Sequence, residues 1–148
     1  MRNIIIFGLA IVFSAFTFLF SSNIQKAESI FQKNEAAKCR ALSFEEAYRE
    51  SEAIFVGEVL SAEKIGDDKV FKFKVEKYWK GKDAQNVEVS VYESTRYQAW
   101  FKTGEKYLVF ANSDEEGVLR DAARCSRSKN LENASEDLTK LGEGKRPK

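Results

Sequence analysis

Residues Lys69–Trp79 read KVFKFKVEKYW. Phe71, Phe73, Val75 and Trp79 fall on one face of this segment, and Lys72, Lys74, Glu76 and Tyr78 fall on the other. A period of two marks a strand with one face buried and one in water. The neighbouring segments repeat the theme. Upstream, Ala53 to Lys64 (AIFVGEVLSAEK) is a β-rich run containing Gly57, and a glycine inside a strand marks a bulge or a close backbone approach. Gly66, Asp67 and Asp68 turn the chain between the two runs. Downstream, Lys80, Gly81 and Lys82 form a second turn, after which Val87, Val89 and Val91 alternate with Glu88 and Ser90. The run Glu105 to Asn112 (EKYLVFAN) is strongly apolar, and Asp114 to Gly117 turns it back toward Val118 and Leu119. One more short strand is expected near Cys125.

Helices flank the strands. Ser43 followed by Glu46 is a capping box, in which each residue satisfies a backbone amide of the other, and it predicts a short helix from Phe44 to about Ser51. Leu131, Ala134, Leu138 and Leu141 recur at helical spacing and predict a terminal helix ending near Gly142. About five short strands with alternating faces and no long helical crossover favour a small antiparallel barrel over a parallel sheet. Its core is expected to contain Phe71, Phe73, Trp79, Tyr107 and Phe110.

The chain divides into four parts. Residues 1–22 hold a positive start and an apolar run from Ile4 to Phe20, the pattern of an exported protein's signal. The run approaches the roughly 18–20 apolar residues that span a bilayer, so a retained anchor is the alternative to a cleaved signal. Residues 23–38 read as a polar linker, residues 39–141 as the folded domain, and residues 142–148 as a solvated basic tail. Export places the domain in a periplasmic or extracellular setting, with the membrane involved only if the leader is uncleaved.

Two cysteines behind such a leader fit an oxidising compartment. A bridge from Cys39 to Cys125 would close a loop of about 87 residues, restricting the unfolded chain by roughly 4–5 kcal/mol on the chain-entropy model. The alternative is a pair of free buried thiols.

Composition narrows the chemistry. The chain has no histidine, so Ser-His-Asp and Cys-His nucleophile pairs and most zinc sites are excluded. There is no glycine-rich phosphate loop. The acidic pairs Glu45-Glu46, Asp67-Asp68 and Glu115-Glu116 stand at turns or a helix start, where acids cap and solubilise. No catalytic residue, cofactor or metal is expected. With 24 basic and 23 acidic residues, the chain lacks the charge excess on which nucleic-acid binding relies. What remains is a set of aromatics. Tyr97, Trp100 and Phe101 lie in one loop and, with the edge near Gly57, are the expected protein-contact surface, because Tyr and Trp concentrate binding energy at interfaces. The alternative is that they cover one end of the barrel.

Four stretches in one order carry a family resemblance: CRALSFEEAYRESEAIFVGEV from Cys39, the Trp79-Lys80-Gly81 strand end, FKTGEKYLVFA from Phe101, and CSRS from Cys125. Together, over about residues 39–141, they resemble bacterial members of the netrin-like superfamily, related to the tissue inhibitors of metalloproteinases. The resemblance implies a five-stranded OB-type barrel flanked by helices. It also implies that the Cys39–Cys125 bridge is the retained one of two family bridges. The other is missing at both ends, at Ala37 and near Tyr97. In the animal inhibitors the first cysteine is the mature amino terminus and chelates the protease zinc. Ala37 occupies that position here, which disfavours a metalloprotease inhibitor. The expected function is therefore a non-catalytic exported domain that binds a protein partner.

Overall fold

The computed structural model describes residue 40 and residues 42–93, 99–122 and 125–148. Among the described residues there are six strands: β1 (Ala53–Ile65), β2 (Asp68–Lys80), β3 (Asn86–Tyr92), β4 (Lys106–Ser113), β5 (Leu119–Arg120) and β6 (Lys129–Asn130). They run in the order β1-β2-β3-β5-β4, and β4 pairs back onto β1, closing a ring of five. This is the Greek-key ring of an OB-type barrel. The sixth strand adds to β4 outside the ring, through Tyr107 with Asn130 and Leu108 with Lys129.

The expectation of a wholly antiparallel barrel is corrected at one place. Strands β3 and β5 are parallel and meet only at Ser90 and Arg120. The reason is topological: directions cannot alternate around a ring with an odd number of strands, so one pair must run parallel.

Two apolar layers share the sheet. Inside the barrel lie Phe55 and Val59 of β1, Phe71, Phe73 and Val75 of β2, Val89 and Val91 of β3, Tyr107 and Val109 of β4, and Phe101 from the loop before β4. Outside it, Ile54, Val56, Leu108 and Phe110 bury against Ala47, Phe44, Leu131, Leu138 and Leu141. Strands β1 and β4 are therefore covered on both faces along most of their pairing, from Ala53 with Ala111 to Gly57 with Tyr107, and the last pair, Glu58 with Lys106, reaches water. This explains why 53–56 and 107–111 are unbroken apolar runs rather than alternating ones.

The alternation of β2 breaks at two bulges. The register passes from Gly57–Val75 to Val56–Lys77, skipping Glu76, and from Phe55–Tyr78 to Ile54–Lys80, skipping Trp79. An extra residue reverses the facing of the strand beyond it. Tyr78 consequently packs on the barrel core, whereas Trp79 joins the outer layer. The sequence pattern implied the reverse assignment. Phe110 likewise belongs to the outer layer and not to the barrel interior. Gly57 sits at the first bulge, where an added Cβ would lie 2.9 Å from the Lys74 carbonyl oxygen. It pairs with β2 on one side and β4 on the other, so it marks no exposed edge.

Helix α1 (Phe44–Glu50) has both halves of its capping box: the Glu46 amide donates to Ser43 Oγ at 3.2 Å and the Ser43 amide to Glu46 Oε2 at 3.0 Å. At its other end, Lys80 Nζ of β2 donates to the carbonyls of Tyr48 and Ser51. A cation is favourable there, where helix carbonyls are unsatisfied. The terminal helical segment is split: a 3-10 turn at Leu131–Asn133 precedes α2 (Ser135–Leu141), which closes at Gly142 with φ 68°. All four leucine and alanine positions read from the sequence face the outer layer.

Buried Asp137 fixes these pieces together. Its carboxylate, wholly inaccessible to water, receives Arg127 Nε at 3.0 Å, Arg127 Nη2 at 2.7 Å and Lys129 Nζ at 2.8 Å. Arg127 also donates to the Leu42 carbonyl, reaching the approach to α1. Burial alone would raise the carboxyl's pKa, but the hydrogen bonds from Arg127 and Lys129 outweigh it and hold Asp137 below the ordinary range.

The basic tail is docked instead of frayed. Lys145 and Tyr78 exchange backbone hydrogen bonds at 2.8 Å in both directions. The Lys148 amide donates to Asp83 Oδ1 at 3.0 Å, and Trp79 Nε1 donates to the Gly142 carbonyl.

Candidate protein-contact surface

Of the aromatic set, Trp100 and Phe101 follow the alternative reading, in which they cover one end of the barrel. Phe101 is 4% exposed and packs edge-on to Phe71, Phe73 and Tyr107 in the barrel interior. Trp100 is half-buried, with its ring 4.5 Å from that of Phe101 and 5.2 Å from that of Tyr107. These two residues close one end of the barrel, because that end opens onto rings that would otherwise meet water. Phe101 is thus a core residue and supplies no contact surface. Tyr97, the third of the set, lies outside the described residues.

The same end carries a small polar chain. The Tyr107 hydroxyl donates to Glu105 Oε2 at 2.6 Å and accepts from the Lys102 amide at 3.1 Å. Burial first, and the bond to Glu105 second, push the Tyr107 hydroxyl up to about 12. The phenol therefore stays neutral and holds the loop in place.

Acidic residues of the expected pairs have structural employment. Glu46 belongs to the capping box, and the Ser43 amide together with Arg40 pulls its carboxyl down to about 2. Asp68 binds Arg120 Nη1 at 2.8 Å, and Arg120 Nε reaches Asp114 Oδ2 at 2.6 Å. Asp114 Oδ1 also accepts from the amides of Glu116 and Val118, which shapes the β4–β5 turn. The Arg120 bond, followed by these amides, holds the Asp114 carboxyl below its ordinary value. Among the described residues no group of three His, Cys, Asp or Glu side chains is placed to hold a metal ion.

No free cysteine stands among the described residues. Cys39 lies outside the described residues.

Exposed apolar side chains lie elsewhere. Strand β1 pairs with β4 only as far as Glu58, and residues 61–67 are exposed throughout. Ile65 at its end is 58% exposed and Tyr92 of β3 is 57% exposed. Ile65 pairs with Asp68, and Asp68 pairs with Tyr92, so the three form one cross-strand row. Residues directly opposite one another across strands share a face. Phe71 and Phe73 point into the barrel, so Asp68, at odd spacing from both, belongs to the outer face with its two neighbours. Leu60, 43% exposed, sits at a third irregularity of β1, between Val59–Phe73 and Ser61–Lys72. The sequence reading missed this row because an isolated Ile or Tyr in a polar strand gives no periodic signal. Only the pairing of three strands assembles them.

No family model matches the chain, and no curated protein matches it. Among solved structures, the chain is similar to one described as the crystal structure of the p204 HINb domain, at 16% identity and a TM-score of 0.34. The match covers 62% of this chain and 47% of that one, so this chain spans less than half of its length. A likeness at this level carries no argument. The OB-type assignment rests on the strand order and register of the barrel itself.

Proposed function

We propose that this chain is a non-catalytic exported domain of the netrin-like type that acts by binding a protein partner in the cell envelope or outside the cell. The observation that carries the reading is the outer row Ile65–Asp68–Tyr92, two large apolar side chains more than half exposed at the end of the β1–β2 hairpin and on the strand beside it. Exposed large apolar groups that share one face of a sheet offer a surface on which a partner can bury them. Arg120 binds both Asp68 and Asp114 beside this row. The resemblance through Cys39–Val59, the Trp79-Lys80-Gly81 strand end, the Phe101–Ala111 block and CSRS at Cys125 supports the family assignment. Ala37 in place of a chelating cysteine speaks against inhibition of metalloproteases. The Cys39–Cys125 bridge belongs to the same proposal: the absence of a free cysteine among the described residues supports it, since the chain has two cysteines in all.

Affinity capture from envelope extract tests this, with wild type compared against the double variant Ile65→Ser, Tyr92→Ser. A partner retained by wild type and lost by the variant is the expected result. Equal capture by both sinks the assigned surface. Intact-mass measurement of the mature chain in the same experiment gives its amino terminus. A start near residues 22–29 fits the proposal, whereas a start at Cys39 would restore the inhibitor reading.

A further inference from the structure

The ring of strands is closed unevenly. Strand β5 has two residues and meets β3 at the single pair Ser90–Arg120, so among the described residues the first half of β3 has no neighbour on that side. The register of β3 tells which backbone groups are left. The Ser90 carbonyl accepts from the Asp121 amide on the β5 side, and the Gln85 carbonyl accepts from Val75 on the β2 side. Backbone groups alternate in direction along a strand, and β3 has no bulge against β2. The amides and carbonyls of Glu88 and Asn86 therefore point away from β2, and among the described residues no strand pairs with them.

These free groups border a cleft of about 610 Å³ between β3 and the β4–β5 turn. Its apolar lining includes Phe55, Val75, Val87 and Leu119, and Lys82 and Glu88 stand among its polar residues. An open strand edge is a template for another extended chain. An apolar cleft alongside it supplies the side-chain pocket that such pairing uses for specificity.

We infer that this cleft takes an extended peptide segment of the partner as an added strand on β3, with an apolar–basic–apolar sequence. The alternation comes from the edge. The residue opposite Glu88 shares its outward face, and the residues on either side of it turn inward onto Phe55, Val75, Val87 and Leu119. The charge comes from the row already present. Ser61, Lys72 and Glu88 lie in register across β1, β2 and β3, so a basic residue opposite Glu88 continues the alternation of charge from Lys72. The inference rests on the protein-binding reading but uses a surface separate from the Ile65–Tyr92 row.

The test titrates the full chain with the labelled peptide acetyl-Thr-Val-Lys-Val-Thr-amide and tracks anisotropy together with amide hydrogen exchange. Saturable binding with at least tenfold slower exchange at Glu88 is expected, and the pattern-reversed peptide acetyl-Thr-Lys-Val-Lys-Thr-amide should bind at least tenfold more weakly. Glu88→Lys, at an exposed site, should weaken the first peptide about fivefold and favour a Val-Glu-Val peptide instead. Equal affinity for the two patterns, binding without protection at Glu88, or no saturable binding overturns the inference. Failure here with partner capture through Ile65 and Tyr92 intact rejects the cleft alone. Lost capture with the peptide result intact rejects the hairpin surface alone.

Discussion

Strands β1 and β4 bury both faces along most of their pairing, whereas the outer end of the β1–β2 hairpin buries neither. The same strand, β1, takes part in both regions: Ile54 and Phe55 are fully enclosed, and Ile65 stands 58% exposed eleven residues later. The difference separates two duties. The doubly covered stretch holds the barrel to its helices and leaves nothing for a partner to touch. The hairpin end is exposed on both faces, and it is where the proposed function places partner binding. Substitutions should therefore sort cleanly by region, with stability effects in the first and binding effects in the second.

The largest effect is expected where both faces are covered. Phe55→Ala or Leu108→Ala should each cost about 3–5 kcal/mol, read as a lower urea midpoint, because the close-packed layers cannot collapse into the space left. A cost below about 1 kcal/mol at either site would contradict the two-layer description. Asp137→Ala comes next. It leaves Arg127 and Lys129 facing each other with no buried anion, and an ion pair broken on one side typically costs about 3–5 kcal/mol. Because the folded-state carboxyl is held below its ordinary value, its contribution is complete above that value, near pH 4, and fades as pH falls further. Wild type should consequently lose stability more steeply below about pH 4 than Asp137→Asn does, in urea melts across pH 2–7.

Gly57→Ala tests the bulge at which the two faces exchange. A Cβ 2.9 Å from the Lys74 carbonyl forces the backbone to shift, for a cost of about 1–3 kcal/mol. At the hairpin, Ile65→Ser and Tyr92→Ser should each change stability by no more than about 0.5 kcal/mol in the same melts. A large loss there would mean that the row is packed in the folded molecule and is not a free surface.

Most of this fold could be read from residue order. Alternation located β2 and β3, the Ser43–Glu46 box located α1, and the leucine spacing located α2. Three features escaped for physical reasons. The bulge at Trp79 leaves no mark in the sequence of β2, because it depends on how β1 pairs with it, whereas the one at Glu76 is marked only by Gly57 on the partner strand. The division of β1 and β4 into inner and outer layers needed the helices in place, since an unbroken apolar run does not say which residue faces which layer. The docked tail was read as solvated because Lys145, Arg146 and Lys148 are polar, yet pairing of Lys145 with Tyr78 uses only backbone atoms. The candidate site was less legible. Trp100 and Phe101 are the residue types that interfaces favour, but the same ring area that suits an interface also suits the end of a barrel, and Phe101 went inside. The Ile65–Tyr92 row spans three strands and has no linear signature.

Binding of a protein partner at the hairpin end is tested most directly by placing a photo-cross-linking amino acid at position 65 or 92 of the full chain, with position 139 on the exposed side of α2 as control, and irradiating in envelope extract. One cross-linked species of discrete mass, shared by positions 65 and 92 and absent from 139, is the predicted result. No cross-linked species at 65 and 92, or the same species from all three positions, would contradict it.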